Sequence, residues 1–327
     1  MPMPMTCTTS ALRSSARPAP NLPWYARGLL WITRGELPGW GRLYAATGGE
    51  CDARWRDAGI GRVRGKLHGY ELELDLANWS ERLSWFLGRY HDLPIQQAMA
   101  RVLRTGDAFL DVGANLGQLT LLARALVGDR GAVTACEPNP RALARLRHTL
   151  ATNGLHDVVA TAVACSDHDG TAVLREFAGH PGWGSLTDTG PEGASTSGQW
   201  RVACRRGDEL VAQLPAAMPL AIKIDVEGHE LPVLRGLEHT LATRRPLLFV
   251  EVIDSHLRRA GNSAAALLAV LARHGYRGFA LADRRRFGFR HGVRFAAFTA
   301  GDPCGADVLC VPTDGPWAQR LQSLLHR

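Results

Sequence analysis

Lysine is nearly absent from this chain. Only Lys66 and Lys223 occur, although Lys and Arg together number 38, against 31 Asp and Glu, in 327 residues. The formal charge of +7 is therefore an arginine surplus. Arginine also fills the alanine-rich stretches, so it reads as a solvated surface rather than a nucleic-acid groove. Its densest cluster, Arg284 to Arg286 with Arg290, is where an anionic partner would be sought. No run approaches the roughly 18 apolar residues of a membrane-spanning helix. Pro246 to Val250 and Ala264 to Ala272 come nearest, and no membrane span is expected.

Seven cysteines, at positions 7, 51, 136, 165, 204, 304 and 310, are odd in number and never form C-x-x-C. That argues against a disulfide framework and against zinc, and a cytoplasmic location is expected. Acidic residues are missing before Glu36, and residues 1–23 are rich in Pro, Ser, Thr, Ala and Arg. They are expected to form a disordered tail or, as the lesser alternative, an organelle transit peptide, because the apolar patch Gly28 to Ile32 is too short for a secretory signal.

What is present suits a globular protein, with 46% hydrophobic and 21% charged residues. A chain of this length can bury about three quarters of its surface without staples. Residues 24–89 read as an appendage, irregular or small and β-like from Trp31 to about Gly69, with a strand at Glu71 to Leu76. Residues 90–327 read as the main domain, entered through the helix-like Ile95 to Leu103. From Asp107 onward strands alternate with helices, the signature of an α/β fold around a parallel sheet. The strands are Ala108 to Val112, Ala132 to Cys136, Val158 to Ala164, Leu220 to Ile224 and Pro246 to Val250, with Phe279 to Leu281 and Val308 to Val311 as the last two. The helices are Gly117 to Val127, Pro140 to Asn153, His229 to Leu241 and Ser263 to His274. Gly170 to Gly207 breaks this alternation and is expected to be a lid.

The segment Asp111-Val112-Gly113-Ala114-Asn115-Leu116-Gly117 joins a strand to a helix. Gly113 and Gly117 allow a sharp turn and close approach of a ligand to the helix N-terminus. Twenty residues past Gly117 stands Glu137, placed to accept hydrogen bonds from two ribose hydroxyls. The middle glycine that admits a pyrophosphate is replaced by Asn115, and Asp111 would repel a diphosphate while suiting an amino group and a sulfonium. These features point to S-adenosylmethionine. An ordinary tight turn would account for the glycines but not for the spacing to Glu137.

A second segment, Ile222-Lys223-Ile224-Asp225-Val226-Glu227-Gly228-His229-Glu230, ends a core strand where an open α/β sheet binds ligands. Asp225, directly after a mostly apolar strand, reads as functional. Glu230 reads as a first-turn carboxylate at a helix N-terminus.

Together the two segments resemble the FkbM family of S-adenosylmethionine-dependent methyltransferases. The resemblance runs from about Tyr90 to Val252 and includes Cys136-Glu137-Pro138-Asn139-Pro140, Ser166-Asp167, Gly184-Ser185-Leu186, Asp208-Glu209-Leu210 and Phe249-Val250-Glu251-Val252. Where the family often shows Tyr-Glu, Tyr90 is followed by His91. The resemblance implies a class I methyltransferase fold, a mostly parallel seven-stranded sheet with helices on both faces, and O-methylation of a hydroxyl on a sugar, glycan or natural product. It assigns the Asp111, Gly113, Asn115 and Gly117 loop to the methionine part, Glu137 to the ribose, and the segment Ala164 to Asp167, with Ser166 and Asp167, to the adenine.

Methyl transfer to a hydroxyl needs positioning and a base or metal. Asp225, His229 and Glu251 are the candidate catalytic residues; only His229 titrates near neutrality by itself, and it could equally be an exposed first-turn ring. Asp225 and Glu251 could also share Mg²⁺, a less favoured route. The rivals are a nicotinamide-dependent oxidoreductase, a non-catalytic cofactor-binding adaptor and, more weakly, a nucleic-acid methyltransferase. The last lacks a proline pair and aromatic after Ile224.

Overall fold

The computed structural model describes residues 24–177, 184–186, 195–286, 289–299, 302 and 305–325. The expected tail, residues 1–23, lies outside the described residues, as does part of the expected lid.

The chain enters through α1 (Ala26–Arg34), α2 (Trp40–Ala46), α3 (Asp52–Trp55), an antiparallel pair β1 (Ile60–Arg64) and β2 (Glu71–Asp75), and α4 (Trp79–Leu87). The appendage thus combines four helices with a small β-pair, where an irregular or small β-like piece was expected. Its helices are too short to show a clear period, and two of its buried side chains are arginines. Arg82 donates to the carbonyls of Gly49 and Leu76 and to Asp52. Arg89 grips both oxygens of Glu36 at 2.8 and 2.7 Å. Around them Trp55 and Tyr44 pack edge-on against Phe86.

After α5 (Leu93–Val102) the alternation begins: β3 (Ala108–Val112), α6 (Gln118–Val127), β4 (Ala132–Cys136), α7 (Pro140–Thr152) and β5 (Val159–Thr161). Helix α7 starts where the sequence says it should, with Pro140 in the first turn and the Asn139 side chain accepting from the N–H of Arg141. The third expected strand divides. Its second half, β6 (Val163–Ser166), leaves the main sheet and joins β7 (Gly170–Phe177), β8 (Gly184–Ser185) and β9 (Thr196–Arg206) in the order β6-β9-β7-β8. The described part of the expected lid is therefore largely sheet.

The chain continues through α8 (Gly207–Ala212), β10 (Leu220–Ile224), α9 (Glu230–Gly236), α10 (Glu238–Thr243), β11 (Leu247–Val252), α11 (Asp254–Arg259) and α12 (Ala264–Arg273). The expected helix from His229 to Leu241 is two helices, broken at Leu237. The chain then runs through β12 (Tyr276–Arg286), β13 (Phe289–Phe298), β14 (Ala306–Pro312) and α13 (Gly315–Leu325). The main sheet has the order β13-β12-β14-β11-β10-β3-β4-β5, eight strands rather than seven. Strands β11, β10, β3, β4 and β5 are parallel, and β14, β12 and β13 run antiparallel. The added strand is β13, which extends the edge as a hairpin with β12.

Period-two alternation sorts the strand side chains onto two faces. Leu110, Val112, Ile222, Ile224, Leu248 and Val250 pack in the core shared with α8 to α12. Phe109, Ala221, Leu247, Phe249 and Leu309 belong to the other core, which α5, α6, α7, α13 and the appendage share. Each fully buried Leu or Phe contributes about 1.5–3 kcal/mol. The same parity puts Asp111, Lys223, Glu251 and Asp307 on the second face, at the sheet edge nearest the appendage, where β3, β10 and β11 end.

Candidate active site

A cavity of about 970 Å³ opens at that edge. One end is made by backbone. Gly113 has φ +78°, and a Cβ there would lie 1.9 Å from the carbonyl oxygen of Asp225, so only glycine lets the turn pack against the exit of β10. Asn115 also adopts a positive φ, of 50°. The carboxylate of Glu137 holds the turn: Oε2 accepts the N–H of Asn115 at 2.7 Å and Oε1 that of Asn139 at 2.7 Å. Burial raises Glu137 above the usual carboxylate range, against the pull of those N–H groups. Each oxygen keeps a second acceptor position, so two further hydroxyl donors can be received. Val163, Ala164, Cys165, Leu174 and Leu186 add an apolar wall.

Asp111 is fully buried beneath the turn and is not part of the cavity wall. Its Oδ2 accepts from Thr120 at 2.6 Å, and Oδ1 faces Lys223 Nζ at 3.6 Å. Lys223 also donates to the Gly113 carbonyl at 2.8 Å and lies 3.2 Å from Asp225 Oδ2. Burial opposes the ammonium charge, yet Asp225 and Asp111 hold its pKa above the ordinary value. Lys223 thus ties the two motifs together. Sequence reasoning gave it no role, although its register opposite Asp111 follows from pairing β10 with β3.

Gly117 caps α6 behind the wall with φ +80°. Ser166 and Asp167 also lie off the cavity wall; the residues of that segment that line it are Ala164 and Cys165. Ser166 Oγ instead meets His229 Nε2 at 3.0 Å. Burial lowers His229 to about 4, so the ring is neutral at physiological pH. Its expected titration near neutrality is therefore displaced. Glu230 folds back onto the N–H groups of Val226 and Gly228, and burial pushes it up to about 7, in keeping with a structural reading.

The other end of the cavity carries charge from separate elements. Asp225, Glu227, Glu251 and His256 all line it. His256 Nδ1 lies 3.0 Å from Glu227 Oε2 and 3.6 Å from Glu251 Oε2. Burial disfavours the imidazolium, but the two carboxylates raise it to about 9. Burial, with Asp225 and Glu227 nearby, drives Glu251 well above the usual range. His256 was missed by sequence reasoning; a histidine shortly after a strand-end glutamate is a weak signal. Tyr90 lines the cavity as well, its phenol raised by burial and by Asp225. The appendage contributes Asn78, Trp79 and Glu81, a wall with no sequence signal. Arg145 holds Glu81 through both oxygens, at 2.9 and 2.6 Å.

The Methyltransferase FkbM domain matches residues 111–277, a span that begins at the turn and includes both motifs. The chain belongs to the FkbM methyltransferase family. The hexuronic acid methyltransferase AglP of Haloferax volcanii is 30% identical to it over 157 residues, 47% of this chain and 61% of that protein. The match thus covers less than two thirds of that relative. Among solved structures, the FkbM methyltransferase of Methylobacillus flagellatus KT superposes at TM-score 0.36, with 14% identity, over 79% of this chain and 60% of that one. A precorrin-6y C5,15-methyltransferase from Geobacter metallireducens GS-15 gives 0.36, with 14% identity, over 66% and 84%. This FkbM-family chain has the α/β fold with a mostly parallel sheet that was expected for it, with eight strands in place of seven.

Among the described residues, no helix is long and apolar enough to cross a membrane.

Proposed function

We propose that this FkbM-family protein is an S-adenosylmethionine-dependent O-methyltransferase acting on a hydroxyl of a sugar or glycan, with a natural product bearing such a hydroxyl as the wider class. The observation that carries this reading is that the glycine turn with Glu137 and the acidic strand ends open into one cavity. The curated relative, named for a hexuronic acid, favours a sugar.

The residues present fit the cofactor. Glu137 has acceptor capacity for the two ribose hydroxyls, the Gly113 to Asn115 backbone would hold the amino-acid end, and Ala164 and Cys165 flank an apolar slot for the adenine. Asp111 and Gly117 brace the loop from behind, and Ser166 and Asp167, with His229, support the adenine wall. When bound, the cofactor supplies a methyl group made electrophilic by its sulfonium. The chain's own task is to hold the acceptor oxygen in line and remove its proton, and positioning alone can supply a large part of the rate.

Asp225 is our choice to receive that proton. It reaches the cavity, 25% exposed, and Lys223 fixes its carboxylate from the other side. Glu251 stands on the neighbouring strand and shapes the acceptor end together with His256. Residues 24–89 would cover this end, and Trp79, half exposed on the wall, offers a face for a sugar ring. Residues 90–327 would be the methyltransferase domain. A cytoplasmic location suits the cysteines at 51, 136, 165, 204 and 310, all free thiols. No nucleic-acid partner is proposed.

The test is a screen of hydroxylated sugars, uronic acids and cell-extract glycans with isotope-labelled S-adenosylmethionine. A mass gain of one labelled methyl on an acceptor hydroxyl is expected. Tight cofactor binding without methylation of any acceptor would favour the adaptor instead.

A further inference from the structure

The acidic end of the cavity holds a donor set that proton removal by Asp225 does not use. Glu227 follows β10, Glu251 lies on β11 and His256 on α11, and all three reach the cavity wall. One ligand atom from each, two carboxylate oxygens and an imidazole nitrogen, lie within 4.8 Å of one another. The two separations from His256 Nδ1 are 3.0 and 3.6 Å. Ligands held about 2.1 Å from a common ion stand roughly 3.0 Å apart at octahedral angles and roughly 3.4 Å apart at tetrahedral ones. The three atoms therefore surround a point that one metal ion could occupy with small side-chain adjustments.

The surrounding charge favours a cation there. Asp225 and Asp307 crowd Glu251 along with Glu227, and Asp307 stands directly across from Glu251 in the β11–β14 pairing. The nearby ammonium of Lys223 is engaged with Asp111 and Asp225. That engagement also separates this site from the Mg²⁺ expectation, which joined Asp225 to Glu251. Glu227 and His256 supply the ligand atoms beside Glu251 here. Calcium and magnesium prefer all-oxygen shells, whereas an imidazole with two carboxylates suits manganese, zinc and their neighbours.

We propose that Glu227, Glu251 and His256 form a site for one divalent transition-metal ion of the manganese or zinc type. Facing the cavity, such an ion would have coordination positions left for water or for an oxygen of the acceptor, whose proton it would make easier to remove. The site is independent of whether methyl transfer is the reaction, because its test reads metal binding and not turnover.

The full chain, stripped with a chelator and dialysed, is titrated with Mn²⁺ while free ion is followed by electron paramagnetic resonance. One ion per chain is expected, displaced by Zn²⁺, with Mg²⁺ at least about tenfold weaker. Pulsed resonance of bound Mn²⁺ should show coupling to an imidazole nitrogen. His256→Ala should abolish that coupling, and it and Glu251→Gln should each weaken binding about tenfold or more. His148→Ala, which removes a ring on α7 outside the cavity and the donor set, should bind as the parent does. Absence of stoichiometric binding, or binding without nitrogen coupling in the parent protein, overturns the proposal. The parent spectrum decides the matter even where a variant fails to fold. The competing occupant is a proton: His256 titrating near 9 by NMR in protein that takes up no metal would show an imidazolium clamped between two carboxylates.

Discussion

The two ends of the cavity are built on opposite principles. The turn end is framed by backbone within one strand–helix–strand unit: the Gly113 to Asn115 turn, closed by the Glu137 carboxylate on the N–H groups of Asn115 and Asn139. The acidic end is made of side chains from the segment after β10, from β11, from α11 and from the appendage. A backbone site tolerates almost no substitution at its glycines but varied residues elsewhere. A side-chain site can be altered one group at a time without losing the fold. The turn end should therefore fail through stability and affinity, and the acidic end through turnover.

The largest effect should come from the acidic end. Asp225→Asn is expected to lower turnover roughly 10²- to 10⁴-fold while cofactor affinity, measured by calorimetry, stays near that of the parent. An equal loss of affinity would erase the distinction between the ends. Next, Gly113→Ala should cost roughly 3 kcal/mol or more in urea unfolding, because its Cβ meets a backbone oxygen and its φ is left-handed. A fully stable Gly113→Ala protein would show that the turn can yield.

The wall supplied by the appendage gives the third test. Burial alone would raise Glu36, but Arg89 and Lys66 hold it at about 2, below its ordinary 4.5. A carboxylate depressed in the folded state stabilises above its unfolded pKa and loses that contribution as pH falls through the folded one. Parent and Glu36→Gln should differ by about 1–2 kcal/mol at neutral pH, allowing for solvent screening of a partly exposed clamp, and converge as the pH drops from about 4.5 to about 2. A constant difference across that range would mean the clamp does not act through charge.

Smallest in free energy, Glu137→Ala should weaken cofactor binding by about 1–3 kcal/mol, since it loses charged acceptors for both ligand and loop. Unchanged affinity would remove the ribose assignment. The pH profile offers a sharper contrast. With His229 lowered to about 4, its deprotonation should not produce a rise in rate near its ordinary value of about 6.5. A rise there that disappears in His229→Ala would return that residue to the catalytic role first expected of it.

Much of this was legible in the sequence. Apolar runs bounded by glycine and proline marked β3, β4, β10 and β11, because a strand covered on both faces needs little but apolar residues. The spacing from Gly117 to Glu137 fixed the turn end, because one strand–helix–strand unit sets that distance. Asn139 with Pro140 announced α7 for the local reason that a cap acts within one turn. Tertiary structure alone decided that β6 leaves the main sheet for a second one, that the stretch from the end of β2 into α4 supplies a wall of the cavity, and that Lys223 engages Asp111 and Asp225. It also brought His256 to Glu227 and Glu251. Those contacts join residues on separate elements, and strand register and side-chain parity, not local preference, determine which of them meet.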